Sequence, residues 1–102
     1  IGLIDHNPNR SDTYPEYVGE NIYGSGGPAS GTAAVALWAS EEADYDYDSN
    51  SCSGVCGHYT QIVWADSTKL GCAFASCPGG TVTNMVVCDY APGGNVGGQR
   101  PY

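Results

Sequence analysis

Five cysteines crowd between positions 52 and 88 of a 102-residue chain. An odd number cannot all pair within one molecule. Such density suits a small secreted domain stapled by disulfides better than a cytosolic enzyme, where thiols stay reduced. The need for staples follows from size, because a chain this short hides only about two-thirds of its unfolded surface on folding and so builds a thin core. Fifteen glycines and six prolines predict many turns and little long helix. Cys52 and Cys56 stand four apart, a spacing that suits a short disulfide loop and not the Cys-x-x-Cys of zinc ribbons or thioredoxins.

Charge narrows the partners. Three Lys and Arg against eleven Asp and Glu give a formal charge of −8 and a pI near 4.1, which repels nucleic-acid phosphates and anionic lipid head groups. The acidic residues gather in "EEADYDYD" (41–48), which reads as a solvated face. No apolar stretch approaches the ~18 residues of a transmembrane helix, and the first residues carry neither a basic n-region nor an apolar h-region. Because the chain opens on Ile1 rather than Met, the expectation is that a signal peptide, and more, preceded it.

Along the chain, residues 7–31 are rich in Pro, Asn, Ser and Gly and end in "GSGGPASG", so they read as loop. "TAAVALWASEEA" (32–43) predicts one short helix, with Val35, Trp38 and Glu42 at helical spacing and Leu37 and Glu41 on an adjacent face. "HYTQIVWA" (58–65) alternates β-branched and aromatic residues and predicts a strand with His58, Thr60, Ile62 and Trp64 on one side. "LGCAFASC" (70–77) and "TNMVVCDYA" (83–91), joined through "PGG", predict an antiparallel hairpin. The ending "PGGNVGGQRPY" has no periodicity and reads as a tail.

Chemistry has few carriers. The histidines are His6 and His58 alone, and with Glu20 and either Glu41 or Glu42 they could form a divalent-metal site with water in the open positions. The competing reading of His58 is a hydrogen-bonded strand residue. None of the serines sits in a nucleophile-elbow pattern.

Several of these stretches together are more specific. "CGHYTQIVW" (56–64), "LGCA" (70–73) and "VVCDYAPGGN" (86–95) resemble the signature segments of the CAP superfamily, which includes cysteine-rich secretory, antigen 5 and pathogenesis-related class 1 proteins. "GENIYGSGG" (19–27) is similar to that family's "GEN" segment, and "ALWASEEADYDY" to its helix with Trp and Glu. The resemblance runs from residue 6 to 102 and is strongest to the class 1 proteins. It implies an α+β fold, an α-β-α sandwich around a central antiparallel sheet, loop-rich and disulfide-stapled. It also implies a single domain over 1–102 that lacks the family's first helix and is N-terminally incomplete, since a trimmed chain would leave one sheet face open.

By the same resemblance, the cleft tetrad falls on His6, Glu20, Glu41 and His58, with the two histidines holding zinc or magnesium and the carboxylates orienting them. Glu42 is the neighbour that could replace Glu41. Cys52 would join Cys56 and Cys72 would join Cys88, leaving Cys77 unpaired. The loop at 44–52 stands where fungal members carry a sterol-binding loop, which makes Tyr45 and Tyr47 candidates for lipid contact; packing of both rings on the domain is the alternative. Residues 92–102 resemble a segment released as a defence-signalling peptide, although Asp89 replaces the usual Asn of that context. The implied protein is secreted, binds a sterol or related lipid and acts in defence or host interaction. Its rivals are a metal-dependent hydrolase or protease with Glu20 or Glu41 as general base, and a precursor of the C-terminal peptide.

Overall fold

The computed structural model describes residues 6–76, 79–80 and 82–102. A three-stranded antiparallel sheet forms its centre, with β5 (Asn84–Ala91) between β1 (Gly19–Ser25) and β4 (Lys69–Ser76). The helix α1 (Gly31–Ser40) leads into a 3-10 turn over Glu41–Asp44, then into a small hairpin of β2 (Tyr45–Asp46) and β3 (Ser51–Cys52), and then into the short helix α2 (Gly57–Ile62). The fold is α+β, as expected.

The period of two along β5 sorts its side chains. Val86, Cys88 and Tyr90 turn towards α1 and form the core with Ala34 and Trp38, while Tyr23, Ala29 and Ile62 pack at its edge. Cys88 lies opposite Asn21 on one side and Cys72 on the other, and the Cys72–Cys88 disulfide ties β4 to β5. Cys52 is bonded to Cys56, closing the approach to α2. Ser30 caps α1 through its Oγ, which accepts from the Ala33 amide at 3.1 Å. Its buried stripe is Ala34 and Trp38, one turn apart, so Val35, expected beside Trp38, is exposed. The Trp38 indole N–H donates to the Ile22 carbonyl, which fixes the helix against β1.

Two expectations are corrected. Residues 19–25 were expected in a loop and form β1, paired with β5 along seven residues. Glycines at both ends hide the strand from local propensity, and its partner lies at the far end of the chain. Residues 58–65 were expected as a strand and instead carry α2. The orphan amides of its first turn are satisfied by a distant carboxylate: Glu41 Oε1 accepts from the amides of His58 at 2.9 Å and Tyr59 at 3.1 Å. Thr60, a residue that disfavours helix, turns its Oγ1 back onto the Cys56 and Gly57 carbonyls. The predicted 70–77/83–91 hairpin is present as β4 and β5, while Cys77 and Pro78 of its loop lie outside the described residues. β4 is exposed along its whole length, Leu70 and Phe74 included.

The tail is ordered. Gly93 donates to the Tyr17 carbonyl at 2.7 Å, Gly94 to Gln61 Oε1 at 2.9 Å, and the Pro101 carbonyl accepts from the Ala65 amide at 2.8 Å. Glycine is required at 94 because a Cβ there would stand 2.6 Å from the Trp64 ring.

Candidate functional site

A cleft of about 200 Å³ opens between β1, the start of α2 and the tail, lined by His6, Glu20, Asn21, Val55, Gly57, His58 and Asn95. Three of the four candidate tetrad residues therefore meet there. Glu41 stands behind the wall, and its role is set by what it holds: Oε2 lies 2.7 Å from His58 Nδ1 while Oε1 takes the two α2 amides. An ionised carboxylate only accepts, so the His58 proton sits on Nδ1 and Nε2 is left as a lone-pair donor. The His58 ring is also stacked on Trp38, with centroids 6.2 Å apart and planes 8° from parallel. Glu42, the alternative to Glu41, touches the Tyr59 hydroxyl at 3.5 Å instead.

The second pair repeats the arrangement with different exposure. His6 Nδ1 lies 2.9 Å from Glu20 Oε1, which also accepts the Asn7 amide at 3.0 Å. The His6 ring is half exposed, whereas the Glu20 side chain is buried.

Asp89 lies directly across the β1–β5 pairing from Glu20, a juxtaposition that its departure from Asn does not disclose. Its Oδ1 is buried without a donor partner among the described residues. A shared proton resolves the conflict between two facing carboxyls. Burial, then the hydrogen bond and charge of Glu20, push the Asp89 carboxyl up to about 6. Burial also raises Glu20, but hydrogen bonds from Asp89, the Asn7 amide and His6 outweigh it and leave that carboxyl below its usual value. Below about pH 6 Asp89 thus carries the proton, and Glu20 the charge that orients His6.

Two asparagines complete the cleft and went unseen in the sequence. Asn21 is fully buried, and its Nδ2 donates to the His58 carbonyl at 3.1 Å and reaches the Tyr90 hydroxyl at 3.4 Å, joining three elements. Asn95 donates to the Gly57 carbonyl at 2.9 Å and accepts from Thr60 Oγ1 at 2.6 Å. Their place inside the "GEN" and "PGGN" segments was the available signal.

Tyr45 and Tyr47 lie on the β2–β3 hairpin and do not line this cleft. Tyr45 donates to Asn50 Oδ1 at 2.7 Å and packs against Tyr59, with centroids 5.9 Å apart. The Tyr47 ring stacks on Tyr102. A larger hollow of about 310 Å³, lined by Arg10, Tyr14, Lys69, Leu70 and Asp89 among others, contains none of the four tetrad residues.

Residues 2–90 match the cysteine-rich secretory protein family, CAP. Pathogenesis-related protein 1 of Arabidopsis thaliana is 55% identical over 85 residues, covering 82% of this chain and 51% of that protein. GLIPR1-like protein 1 of Homo sapiens is 54% identical over 91 residues, 85% of this chain and 37% of that one. Among solved structures, Schistosoma mansoni venom allergen-like protein 4 superposes with a TM-score of 0.71 at 31% identity, covering 85% of this chain and 51% of its own. The chain thus spans about half the length of the plant relative and little more than a third of the human one. It belongs to the CAP family of cysteine-rich secretory proteins and is similar to pathogenesis-related protein 1.

Proposed function

We propose that this chain is part of a secreted, pathogenesis-related class 1-like binding protein whose cleft takes a divalent cation on His6 and His58. One observation carries the reading: two imidazoles in a single cleft each have Nδ1 held by a carboxylate, which leaves both Nε2 atoms without a hydrogen-bond partner among the described residues. A carboxylate behind the imidazole raises its basicity and fixes its orientation, as in metal sites generally. Imidazole suits zinc well and magnesium poorly. Among the described residues no group of three or more His, Cys, Asp or Glu side chains is arranged to hold an ion. The donor set therefore fits a cation held by two nitrogens and water, rather than the three-ligand arrangement of catalytic zinc. Such an ion would supply positive charge and exchangeable water positions to whatever the cleft admits.

The carboxylates also speak against the hydrolase alternative. Both Glu41 oxygens are engaged by α2 and His58, and Glu20 is committed to His6, Asn7 and Asp89. Zinc titration against a chromophoric chelator tests the reading, with one bound equivalent expected, loss of binding in His58→Ala, and about ten-fold weaker affinity in Glu41→Gln. Unchanged affinity in both His6→Ala and His58→Ala would sink it.

Secretion is supported by the two disulfides and by the secretory family. Sterol or related lipid binding, with a role in defence or host interaction, is proposed for the β2–β3 hairpin, where Tyr47 is exposed. Radiolabelled sterol should bind saturably and be lost in Tyr45→Ala/Tyr47→Ala; an unsaturable signal from the unaltered chain removes the idea.

A further inference from the structure

The chain's own tail is seated on the β2–β3 hairpin, and it is seated like a ligand. Tyr102 lays its ring against Tyr47, with centroids 4.9 Å apart and planes 23° from parallel. Its hydroxyl is 3.1 Å from that of Tyr59, and its carbonyl accepts from the Tyr47 hydroxyl. Arg100 covers the other part of Tyr47: Nε donates to the Tyr47 carbonyl at 2.9 Å, Nη2 donates to the Asp48 carbonyl at 2.7 Å, and the guanidinium stands 5.6 Å from the ring centroid. Between them Pro101 is buried.

These contacts are separable from the rest of the tail. Gly93, Gly94 and Asn95 are pinned to Tyr17, Gln61 and α2, and Gln99–Tyr102 are pinned to the hairpin, but Val96, Gly97 and Gly98 between them are exposed. Two anchored segments joined by an exposed Gly-Gly link form a tethered peptide. Charge complements the fit. The hairpin and its approach carry Asp44, Asp46 and Asp48, and Arg100 is one of only three cationic residues in a chain of charge −8.

We infer that the surface made by Tyr47, Tyr59, Asp48 and Asn50 is a peptide-docking site for a Gln-Arg-Pro-Tyr segment, occupied here by the chain's own Gln99–Tyr102. A free peptide of that sequence makes the same contacts in trans whenever the tethered copy leaves. Tethering sets the competition: a short link holds the tail at an effective concentration on the order of millimolar, so a free peptide is excluded until the tail is weakened. A lipid resting on Tyr47 must likewise displace Tyr102, which makes tail and lipid rivals for one ring.

The test uses the 102-residue chain and a fluorescent synthetic peptide of residues 95–102. The unaltered chain is expected to bind it at least ten-fold more weakly than the Arg100→Ala/Tyr102→Ala chain, in which faster hydrogen exchange at the Ala65 amide reports that the tail has lifted. Adding Tyr47→Ala to that chain should abolish peptide binding, as should Tyr102→Ala in the peptide. Two results overturn the inference: an Ala65 amide as protected in the double variant as in the parent, or a lifted tail with no saturable peptide binding.

Discussion

Replacing Trp38 by alanine is expected to destabilise the chain by about 3–5 kcal/mol, against a total of about 5–15 for a domain of this size. Trp38 is 1% exposed, packs with Ala34, Val86, Cys88 and Tyr90, and gives its indole N–H to β1. It fills the space between α1 and the central strand. Chemical denaturation measures the loss. Because the indole also backs the His58 ring, the His58 ring-proton resonances should shift in any Trp38→Ala chain that still folds. Trp38→Phe should retain most of the stability and lose the hydrogen bond to Ile22. A cost below about 1 kcal/mol for the alanine variant would mean that the core does not centre on α1.

Asp89→Asn is expected to do the opposite and raise stability by about 2 kcal/mol at pH 7. In the unfolded chain this carboxyl ionises around 3.8, whereas in the folded chain burial and Glu20 hold its proton until about pH 6. The folded state binds the proton better, so the group's contribution is intact below pH 4, falls as the pH rises towards 6, and stays lost above it. A shift of that size corresponds to about 3 kcal/mol at one unit per 1.36, reduced to about 2 because Asp89 is only partly buried. An asparagine amide can donate to Glu20 at every pH. The variant should therefore match its parent near pH 4 and exceed it at pH 7, as read by urea midpoints. Glu20, whose carboxyl is lowered, works in the other direction by adding stability above its unfolded value that is lost in acid. Equal midpoints for parent and variant at pH 7 would exclude a raised Asp89 carboxyl in the folded chain.

The parts of this fold that could be read from the letters are those closed by near neighbours. The β4–β5 hairpin announces itself through two β-rich runs and a Pro-Gly-Gly turn, and α1 through good helix formers and a Ser cap. β1 carries no such signature, because "GENIYGS" becomes a strand only when β5 supplies its partners. The error at α2 has a sharper cause. "HYTQIVW" alternates convincingly, but its first amides are closed by Glu41, seventeen positions away. The tetrad residues were nameable through family resemblance, not through periodicity. Asp89, Asn21 and Asn95 act through pairings between distant segments, and a lone Asp or Asn in a list of letters carries no trace of that.

Glu41 performs two tasks with one carboxyl group, closing the N-terminus of α2 and holding the His58 ring. The tasks are thermodynamically linked, because whatever tightens the imidazole on its carboxylate also tightens the helix that carries it. Occupancy of the cleft is then written into the backbone, and the slowing of exchange at the His58 and Tyr59 amides becomes a reporter of binding for any ligand, known or not. Conversely, the first turn of α2 cannot unwind without loosening the carboxylate that holds the His58 ring.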